Sequence, residues 1–390
     1  MSWAFRDLIE IVMKLPLTGI IVVELGTSVA GPFGAQILGD LGATVVKVEN
    51  PETGDDARSW GPPFWYGAAA TFQSLNRNKR SIAVDLKDAE QCRKLRKFII
   101  DHADVVLQNL RPGLVKRFGL DDSLTREKPT LIYCNLGSFG DRGPLRDQPG
   151  YDPLMQAFGG IMSITGEADR PPVRVGPSII DMGAGMWCAI GILAALAQRA
   201  QTTRGCRIDT SLFETALAWM TIPAATTLAS GREPGRMGTE TSILAPYKAF
   251  KASDKYLIIA AGNDNLFRRL CDVLAHPEWA DDSRFSTNSV RVTNRLELNR
   301  MIDEIIAIRP SAEWIERLSA VGVPCAPLQT AKEVFAHPQT IALEMLRSAP
   351  NHDMTLMSVP LRFDGERLPF RNSPPELGDS THDVFTSSVP

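Results

Sequence analysis

The sequence predicts an α/β protein with a large domain on an open parallel sheet and a smaller α+β domain. Between residues 20 and 135, short apolar runs alternate with helical stretches, which is the pattern of parallel strands joined by crossover helices. Near Gly231 the chain becomes rich in turn residues, and two candidate antiparallel strands follow. The length of 390 residues suits two domains.

The large domain begins with a strand, helix, strand unit. Ile20–Leu25 and Ala43–Glu49 are apolar runs, and the small-residue loop Gly26–Pro32 and a helix at Phe33–Leu41 lie between them. Further strands are predicted at Ser81–Leu86, Val105–Leu107, Thr130–Asn135 and Arg207–Thr210. In such a sheet ligands bind at the loops that follow the carboxyl ends of the strands.

The second half of the chain is mostly helical. Helices are predicted at 151–162 and 181–200, and the small domain combines strands at Tyr247–Phe250 and Tyr256–Ala260 with three amphipathic helices. We predict a large domain over residues 1–227, a small α+β domain over 228–335, and a C-terminal segment, 336–390, that returns to the large domain.

Composition excludes several classes of function. The net charge of −3 argues against a nucleic-acid-binding protein. The six cysteines have no Cys-x-x-Cys spacing and no nearby histidines, so neither a zinc site nor a disulfide framework is expected. The most apolar stretch, Met182–Ala197, predicts a buried helix rather than a membrane span, and the first sixteen residues show no secretion signal. We therefore expect a cytoplasmic protein that uses no metal.

The loop after the first strand lies where dinucleotide-binding folds hold phosphate. Its glycines, Gly26, Gly31 and Gly34, are five and three residues apart, whereas the fingerprint requires G-x-G-x-x-G. This spacing disfavours an NAD enzyme even though Glu49 ends the second strand, and a plain tight turn before a helix is the simpler interpretation.

Basic residues gather at the predicted strand ends, where they could converge on one anionic ligand because arginine and lysine both bind phosphate. Each of them alone is more simply a solvated surface residue. They are Arg58, the run Asn76–Arg80, Lys87, Arg111 and Arg117.

Asp181 is the candidate catalytic residue. It follows two isoleucines and precedes a glycine-rich apolar helix, so it is either the N-cap of that helix or a desolvated carboxylate nucleophile. In the second case the small residues 183–185 would admit a substrate carbonyl and offer amides to an oxyanion. Tyr151, Asp152, Gln156 and Gly183 are candidate pocket residues, with helix capping as the alternative for Asp152. The five histidines lie away from any G-x-S-x-G elbow, which disfavours a Ser-His-Asp hydrolase.

Taken together, these motifs resemble class III coenzyme A transferases of the CaiB/BaiF type, from about Leu17 to Val384. The segments that carry the resemblance are Ala30–Pro32, Gly39–Ala43, Val46–Glu49, Asn76–Ser81, Asn109–Gly113, Gly150–Asp152, Asp181 with its glycine helix, Arg204–Gly205, Val321–Pro324 and Leu377–Asp379.

The resemblance implies a Rossmann-like large domain and an interlocked homodimer. It implies that Asp181 attacks an acyl-CoA thioester, forms a mixed anhydride and then an aspartyl-CoA thioester, and passes CoA to a free carboxylic acid. Coenzyme A is then a substrate, and no tightly bound cofactor, metal, nucleic acid or membrane is needed. The implied CoA-binding residues are Ser28, Val29, Arg58, Val84, Lys87, Asn109, Arg117 and Phe118.

Some positions depart from the family pattern. Asn50 stands where many members have an arginine, and Arg58 is the candidate substitute for that CoA contact. The glycine-rich lid of formyl-CoA transferases is absent, which argues against oxalate and formate. Tyr151 replaces the histidine of the related racemases, so one of two bases would be missing.

The segments 54–64, 245–250 and 261–264 are most similar to succinate/glutarate-type dicarboxylate transferases. An acyl-CoA racemase or isomerase, and a CoA-binding protein without turnover, remain the alternatives.

Overall fold

The computed structural model describes residues 15–386, so the expectation for the first sixteen residues lies almost wholly outside it. Contacts group the chain into two compact units. The first comprises the described residues up to Gly160, then Val175–Thr221 and the chain from Gln339; the second comprises Ile161–Arg174 and Ile222–Pro338. The domain boundaries predicted above stay a prediction, because units grouped by contact need not be separately folding domains.

Short strands and helices follow one another along the whole of the described chain. In chain order, the strands are β1 (Ile21–Leu25), β2 (Thr44–Glu49), β3 (Phe64–Trp65), β4 (Ala68–Ala69), β5 (Lys79–Ala83), β6 (Val105–Gln108), β7 (Ile132–Gly137), β8 (Arg207–Ser211), β9 (Tyr247–Lys251), β10 (Tyr256–Ala260), β11 (Cys325–Pro327), β12 (Leu346–Ser348), β13 (Thr355–Met357), β14 (Arg362–Phe363) and β15 (Glu366–Arg367). The helices are α1 (Ala30–Asp40), α2 (Ala70–Leu75), α3 (Ala89–His102), α4 (Leu114–Arg117), α5 (Leu124–Glu127), α6 (Asp152–Phe158), α7 (Ile179–Thr202), α8 (Leu212–Trp219), α9 (Thr221–Ser230), α10 (Asp264–Val273), α11 (Asn288–Thr293), α12 (Arg295–Ile306), α13 (Ser311–Ala320), α14 (Ala331–Ala336), α15 (Pro338–Ala342) and α16 (Thr381–Thr386).

The first unit is built on a six-stranded sheet in the order β5-β2-β1-β6-β7-β8, in which every neighbouring pair is parallel. Its central strands are buried valine-rich runs, as expected for a sheet covered on both faces. This confirms the predicted α/β class and the open parallel sheet. Because β1 has β2 on one side and β6 on the other, the strand order reverses between β1 and β6.

Helices α1 and α7 form the main helical contact of this unit. A Cβ atom on Gly185 would lie 2.6 Å from the carbonyl oxygen of Ala30 and 2.9 Å from the nitrogen of Gly34. The two helices therefore cross through glycines at backbone contact, and this brings the first turn of α7 beside the first turn of α1.

Helix α7 is also the one helix among residues 15–386 that is long and apolar enough to cross a membrane by length and composition. Half of its apolar stretch is buried in the chain, and it packs against α1, α8 and β7. The predicted buried helix at 182–197 is thus only half-buried in this chain, because Met186, Trp187 and Ile190 are exposed.

The C-terminal segment packs on the edge strand β5. Ser380 donates its amide to the carbonyl of Ser81, Gly378 donates to the Ser81 hydroxyl, and Val384 joins the core beside β5 and α3. The second unit, described by itself, has a three-stranded antiparallel sheet in the order β11-β10-β9, covered by α10, α12 and α13 around a core that includes Phe250, Phe267 and Trp314.

Candidate active site

A cleft of about 310 Å³ lies at the carboxyl edge of the six-stranded sheet. It opens between the loops after β1 and β6, which is the place where open α/β sheets bind ligands. It brings together six of the residues singled out from the sequence, namely Ser28, Val29, Asn109, Arg111, Tyr151 and Asp181. Residues 110–112 after β6 and 137–138 after β7 complete much of its wall.

The loop after β1 is held in one conformation by side chains from the loops after β6 and β2. The Asn109 side chain accepts a hydrogen bond from the amide of Thr27 at 2.9 Å and donates one to its carbonyl at 3.0 Å. The amide of Ser28 donates to Asp55 at 2.9 Å, and Ser28 has a φ of +72°. A left-handed serine costs free energy, and such residues persist where the surroundings fix them.

Helix α1 begins at the cleft without a side-chain cap. Within residues 15–386, the amides of Val29, Ala30 and Gly31 have no hydrogen-bond acceptor, and Val29 and Ala30 line the cleft together with Asp181. Free first-turn amides carry the positive end of the helix dipole and can stabilise an oxyanion.

Asp181 is the third residue of α7 and is not its N-cap. The structure gives the capping role to Asp152, whose buried carboxylate accepts from the amides of Ile180 at 2.7 Å and Asp181 at 3.3 Å. Gln156, also buried, donates to Asp152 at 2.6 Å. No hydrogen bond or ion pair reaches the Asp181 carboxylate from any residue in the described part of the chain. Asp152 and Gln156 lie behind the cleft wall and Asp181 faces into it.

Burial raises the pKa of the Asp181 carboxyl to about 7, and the neighbouring Asp152 carboxylate adds to the effect. The charged form of Asp181 is thus destabilised in the free protein, because it has lost water without gaining a partner. A carboxylate in this condition is a better nucleophile than one in water, and strongly shifted groups in clefts are candidate catalytic groups.

The glycines that follow Asp181 pack against helices and leave no open space for a substrate. A Cβ atom on Gly183 would lie 2.8 Å from the Trp219 ring and 2.9 Å from the Thr215 methyl, both on α8. Gly183 is therefore placed outside the cleft, and the amides of 183–185 lie within the hydrogen-bonded turns of α7. The expectation of oxyanion donors at 183–185 needs correction, and the acceptor-free amides at the start of α1, in residues that line the cleft, are the candidate donors.

Two further cavities extend along the same edge of the sheet. One of about 220 Å³ shares Thr27, Leu110 and Leu114 with the cleft and is lined by Val84, Lys87 and Phe118. The next, of about 430 Å³, shares Lys87 and Phe118 with it and holds four cations: Lys87, Arg93, Arg96 and Arg117. The three cavities form a row from the Asp181 carboxylate to a basic end.

Several predicted basic contacts serve the fold instead. The Arg58 guanidinium donates twice to Glu49 at 2.7 Å and lies over the Phe72 ring, so it lines none of the three cavities. Arg77 is buried against Asp40, and Lys79 is buried against Glu24. Glu49 is the last residue of β2, where dinucleotide-binding folds often place a ribose-binding acid. Here its carboxylate is bound to Arg58 and Ser81. Arg58 as the substitute for the missing CoA contact is therefore not supported by its geometry.

Sequence reasoning missed two groups at this site. The first is Arg93 and Arg96, which lie on α3. Because α3 is the helix that follows β5, these arginines could have been predicted to lie near the ligand-binding edge of the sheet. Asp55 and Lys47 hold the loop after β1, and their roles depend on contacts with distant residues. No group of three or more His, Cys, Asp or Glu side chains within residues 15–386 is arranged to hold a metal ion.

Known proteins resemble this chain in family, sequence and fold. The model of CoA-transferase family III matches residues 17–381. A succinyl-CoA:glutarate CoA-transferase from Mus musculus is 36% identical over 387 residues, which cover 98% of this chain and 88% of the relative. An acetyl-CoA:oxalate CoA-transferase from Acetobacter aceti is 39% identical over 335 residues, 85% of this chain and 86% of the relative. A solved CAIB/BAIF family protein from Brucella suis superimposes with a TM-score of 0.85 at 40% identity, over 95% of this chain and 98% of its own.

Proposed function

The chain belongs to CoA-transferase family III, and we propose that it moves CoA from succinyl-CoA to a free dicarboxylic acid with Asp181 as the nucleophile. Family membership confirms the resemblance seen in the sequence, and acyl-CoA:carboxylate CoA transfer is the activity for which its relatives are named. The choice of a dicarboxylic acid is supported by the name of the succinyl-CoA:glutarate relative. The oxalate-specific name of another relative keeps oxalate among the acceptors to test.

The unpaired Asp181 carboxylate is the observation that carries this proposal. It lines the same cleft as Val29 and Ala30, whose amides have no acceptor within residues 15–386, and burial raises its pKa to about 7. A nucleophile and an oxyanion site in one cleft are the two groups that acyl transfer requires.

In the first half of the proposed reaction, the Asp181 carboxylate attacks the thioester carbonyl carbon, and the α1 amides stabilise the resulting oxyanion. The carbon–sulfur bond breaks, CoA leaves as a thiolate, and a mixed anhydride remains on Asp181. The thiolate then attacks the Asp181 carbonyl carbon, releasing the donor acid and leaving an aspartyl-CoA thioester.

In the second half, the acceptor carboxylate attacks the aspartyl thioester and displaces the thiolate, which gives a second mixed anhydride. The thiolate attacks the acyl carbon of the acceptor, and the new acyl-CoA and the free Asp181 carboxylate are released. No proton is gained or lost over the cycle, so no general acid or base is needed.

The row of cavities gives the proposed path of CoA. Its thiol end lies at Asp181, past Ser28, Val29 and Asn109; its adenosine lies by Val84 and Phe118; and Lys87 and Arg117 meet phosphate groups attached to the adenosine. These two cations have no ion-pair partner among residues 15–386, which suits the task because phosphate binds cations through charge-assisted hydrogen bonds. Tyr151, which is 53% exposed at the cleft mouth, is the proposed contact for the acceptor acid.

The homodimer is part of the proposal. Met182, Met186, Trp187 and Ile190 of α7 and Trp219 of α8 are all exposed on the first unit. A cluster of large apolar side chains of this kind is typical of a protein interface, and the family resemblance implies that a second copy covers it. A cytoplasmic location is likewise proposed.

Acceptor dependence tests the proposal and separates it from its alternatives. Succinyl-CoA is incubated with glutarate, oxalate and a monocarboxylate in turn, and new acyl-CoA is measured. Transfer that requires a free acid supports the proposal. Exchange of the α-proton with deuterated water in the absence of any acid would instead establish a racemase or isomerase, and binding without either reaction would establish a CoA-binding protein. A racemase of this kind would act through Asp181 and Asp152. The Asp152 carboxylate already accepts hydrogen bonds from two amides of α7.

A further inference from the structure

We propose that Lys47 and Asp55, neither of which lines the wall beside Asp181, are positioning residues that hold the loop after β1 in its reactive conformation. This inference rests on the proposed role of Asp181 and adds the residues that fix the loop after β1, which lines the same cleft. It is carried by a set of buried contacts that converge on Gly26, Thr27 and Ser28.

Lys47 is fully buried at the carboxyl end of β2. It is directly opposite Glu24 of β1 in the sheet register, and its ammonium lies 3.0 Å from a Glu24 oxygen and 2.8 Å from an Asp55 oxygen. The same ammonium donates to the carbonyl of Gly26 at 2.8 Å. The Lys47 side chain thus binds the loop at Gly26. It also fixes the Asp55 carboxylate, which binds the loop at Ser28.

Asp55 connects Lys47 to the strained part of the loop. One carboxylate oxygen pairs with Lys47, and the other accepts the amides of Ser28 at 2.9 Å and Ala57 at 3.0 Å. Ser28, at a φ of +72°, is in a conformation that serine rarely adopts. The bond from Asp55 therefore opposes the tendency of Ser28 to relax to a negative φ.

Relaxation at Ser28 would turn the peptide groups that follow it. Those groups carry the amides of Val29 and Ala30, two residues that line the cleft at the start of α1. An oxyanion site depends on donors fixed at hydrogen-bonding distance from the developing charge. A loop that drifts would therefore lose stabilisation of the transition state.

The chemistry of the cluster favours a positioning role over a purely stabilising one. Lys47, Glu24, Asp55 and Lys79 are all buried, and together they carry no net charge. Burying ion pairs is costly, and apolar residues of similar size often stabilise a fold as well or better. What apolar residues cannot supply are the acceptors and donors that hold Gly26 and Ser28.

The test compares Asp55→Asn with the matched control Asp40→Asn. Both substitutions neutralise a buried carboxylate paired with a buried cation in the same unit, but Asp40 pairs with Arg77, away from the loop. The asparagine at 55 has one acceptor oxygen, so it cannot serve both Lys47 and the amide of Ser28. We expect kcat to fall about 10- to 100-fold in the Asp55 variant, and the KM for acyl-CoA to change by a smaller factor even though Asp55 also lines the second cavity. The Asp40 variant should keep kcat within about twofold at a similar loss in Tm.

Equal kcat losses in the two variants at matched Tm, or an Asp55 variant with nearly unchanged kcat, would overturn the inference. Hydrogen exchange of the wild-type protein decides the matter if the Asp55 variant does not fold. The Ser28 amide should then be protected like the neighbouring strand amides, and exchange at the rate of an open loop would overturn the inference. These readouts are distinct from the proposed function, which fails if the wild-type enzyme transfers no CoA at all.

Discussion

The carboxylate of Asp152 accepts the backbone amide of Asp181 at 3.3 Å and that of Ile180 at 2.7 Å. The residue that caps α7 and the residue that faces the cleft are therefore different aspartates. Asp152 takes the amides at the helix start, and the Asp181 side chain has no hydrogen bond from the described chain. Burial, and after it the neighbouring Asp152 carboxylate, raises the pKa of Asp181 to about 7. Asp152 thus caps α7, and the Asp181 carboxylate remains available for the proposed reaction.

The first prediction concerns the pH dependence of the reaction. Only the ionised form of Asp181 is a nucleophile, so kcat/KM should rise about tenfold per pH unit below pH 7 and level off above it. The carboxyl groups of the substrates titrate at more acidic pH. A steady-state pH profile with succinyl-CoA checks this, and a flat profile between pH 5 and 8 would contradict it.

Asp152→Asn provides the control for this assignment. It removes the second cause of the raised pKa and leaves the first, which is burial, so the acidic limb should move toward lower pH without reaching the value of an exposed aspartate. An acidic limb that stays at pH 7 in this variant would assign it to another group.

The second prediction concerns stability. Asp181 binds a proton more tightly in the folded protein than in the unfolded chain, so its contribution to stability falls as the pH rises from about 4 to about 7. Asp181→Asn does not titrate and avoids this loss. It should be more stable than wild type at pH 8, by about 2 to 4 kcal/mol, with no gain near pH 4. Urea unfolding at both pH values measures the difference, and an equal or lower stability at pH 8 would contradict the account.

The third prediction concerns the crossing of α1 and α7. Alanine usually stabilises a helix relative to glycine, by about 1 kcal/mol. Gly185→Ala should do the reverse, because its Cβ would meet backbone atoms of Ala30 and Gly34 at 2.6 and 2.9 Å. We expect a loss of about 1 to 3 kcal/mol and a lower kcat, since Asp181 moves away from the α1 amides. Gly176→Ala, with no atom within 4 Å of its Cβ, is the control and should be nearly neutral.

The fourth prediction concerns the basic end of the row of cavities. Arg117 is exposed there, and we propose that it binds a CoA phosphate. Arg117→Met should raise the KM for acyl-CoA about tenfold and leave kcat within about twofold, because one charged hydrogen bond is lost. The defect should shrink as salt is added to both enzymes. Arg126→Met, at an exposed arginine that lines none of the three cavities, should leave the KM unchanged, and a similar rise in both variants would contradict the assignment.

The parallel sheet could be predicted from the sequence because buried parallel strands leave continuous apolar runs such as Val105–Gln108. The position of Asp181 at a helix start could also be predicted, because the apolar, glycine-rich helix follows it directly in the sequence. The meaning of the basic run 76–80 was not visible, because the partner of Arg77 is Asp40, 37 residues earlier. A local pattern shows a charge and cannot show whether a distant segment neutralises it.

The glycines of α7 illustrate the same limit. From the sequence alone, residues 183–185 indicated open space beside Asp181. In the structure Trp219 fills the space beside Gly183, and α1 fills that beside Gly185. The candidate oxyanion donors lie instead at the start of α1, far earlier in the chain, and α1 meets α7 through a helix crossing that no local pattern specifies.

Direct detection of acyl transfer to Asp181 is the most decisive measurement. The enzyme is incubated with succinyl-CoA and hydroxylamine, digested, and analysed by mass spectrometry. The account predicts a hydroxamate at Asp181 in the wild-type protein, together with loss of both the adduct and the transferase activity in Asp181→Ala. Full transferase activity in that variant, or a hydroxamate at any other residue, would contradict it.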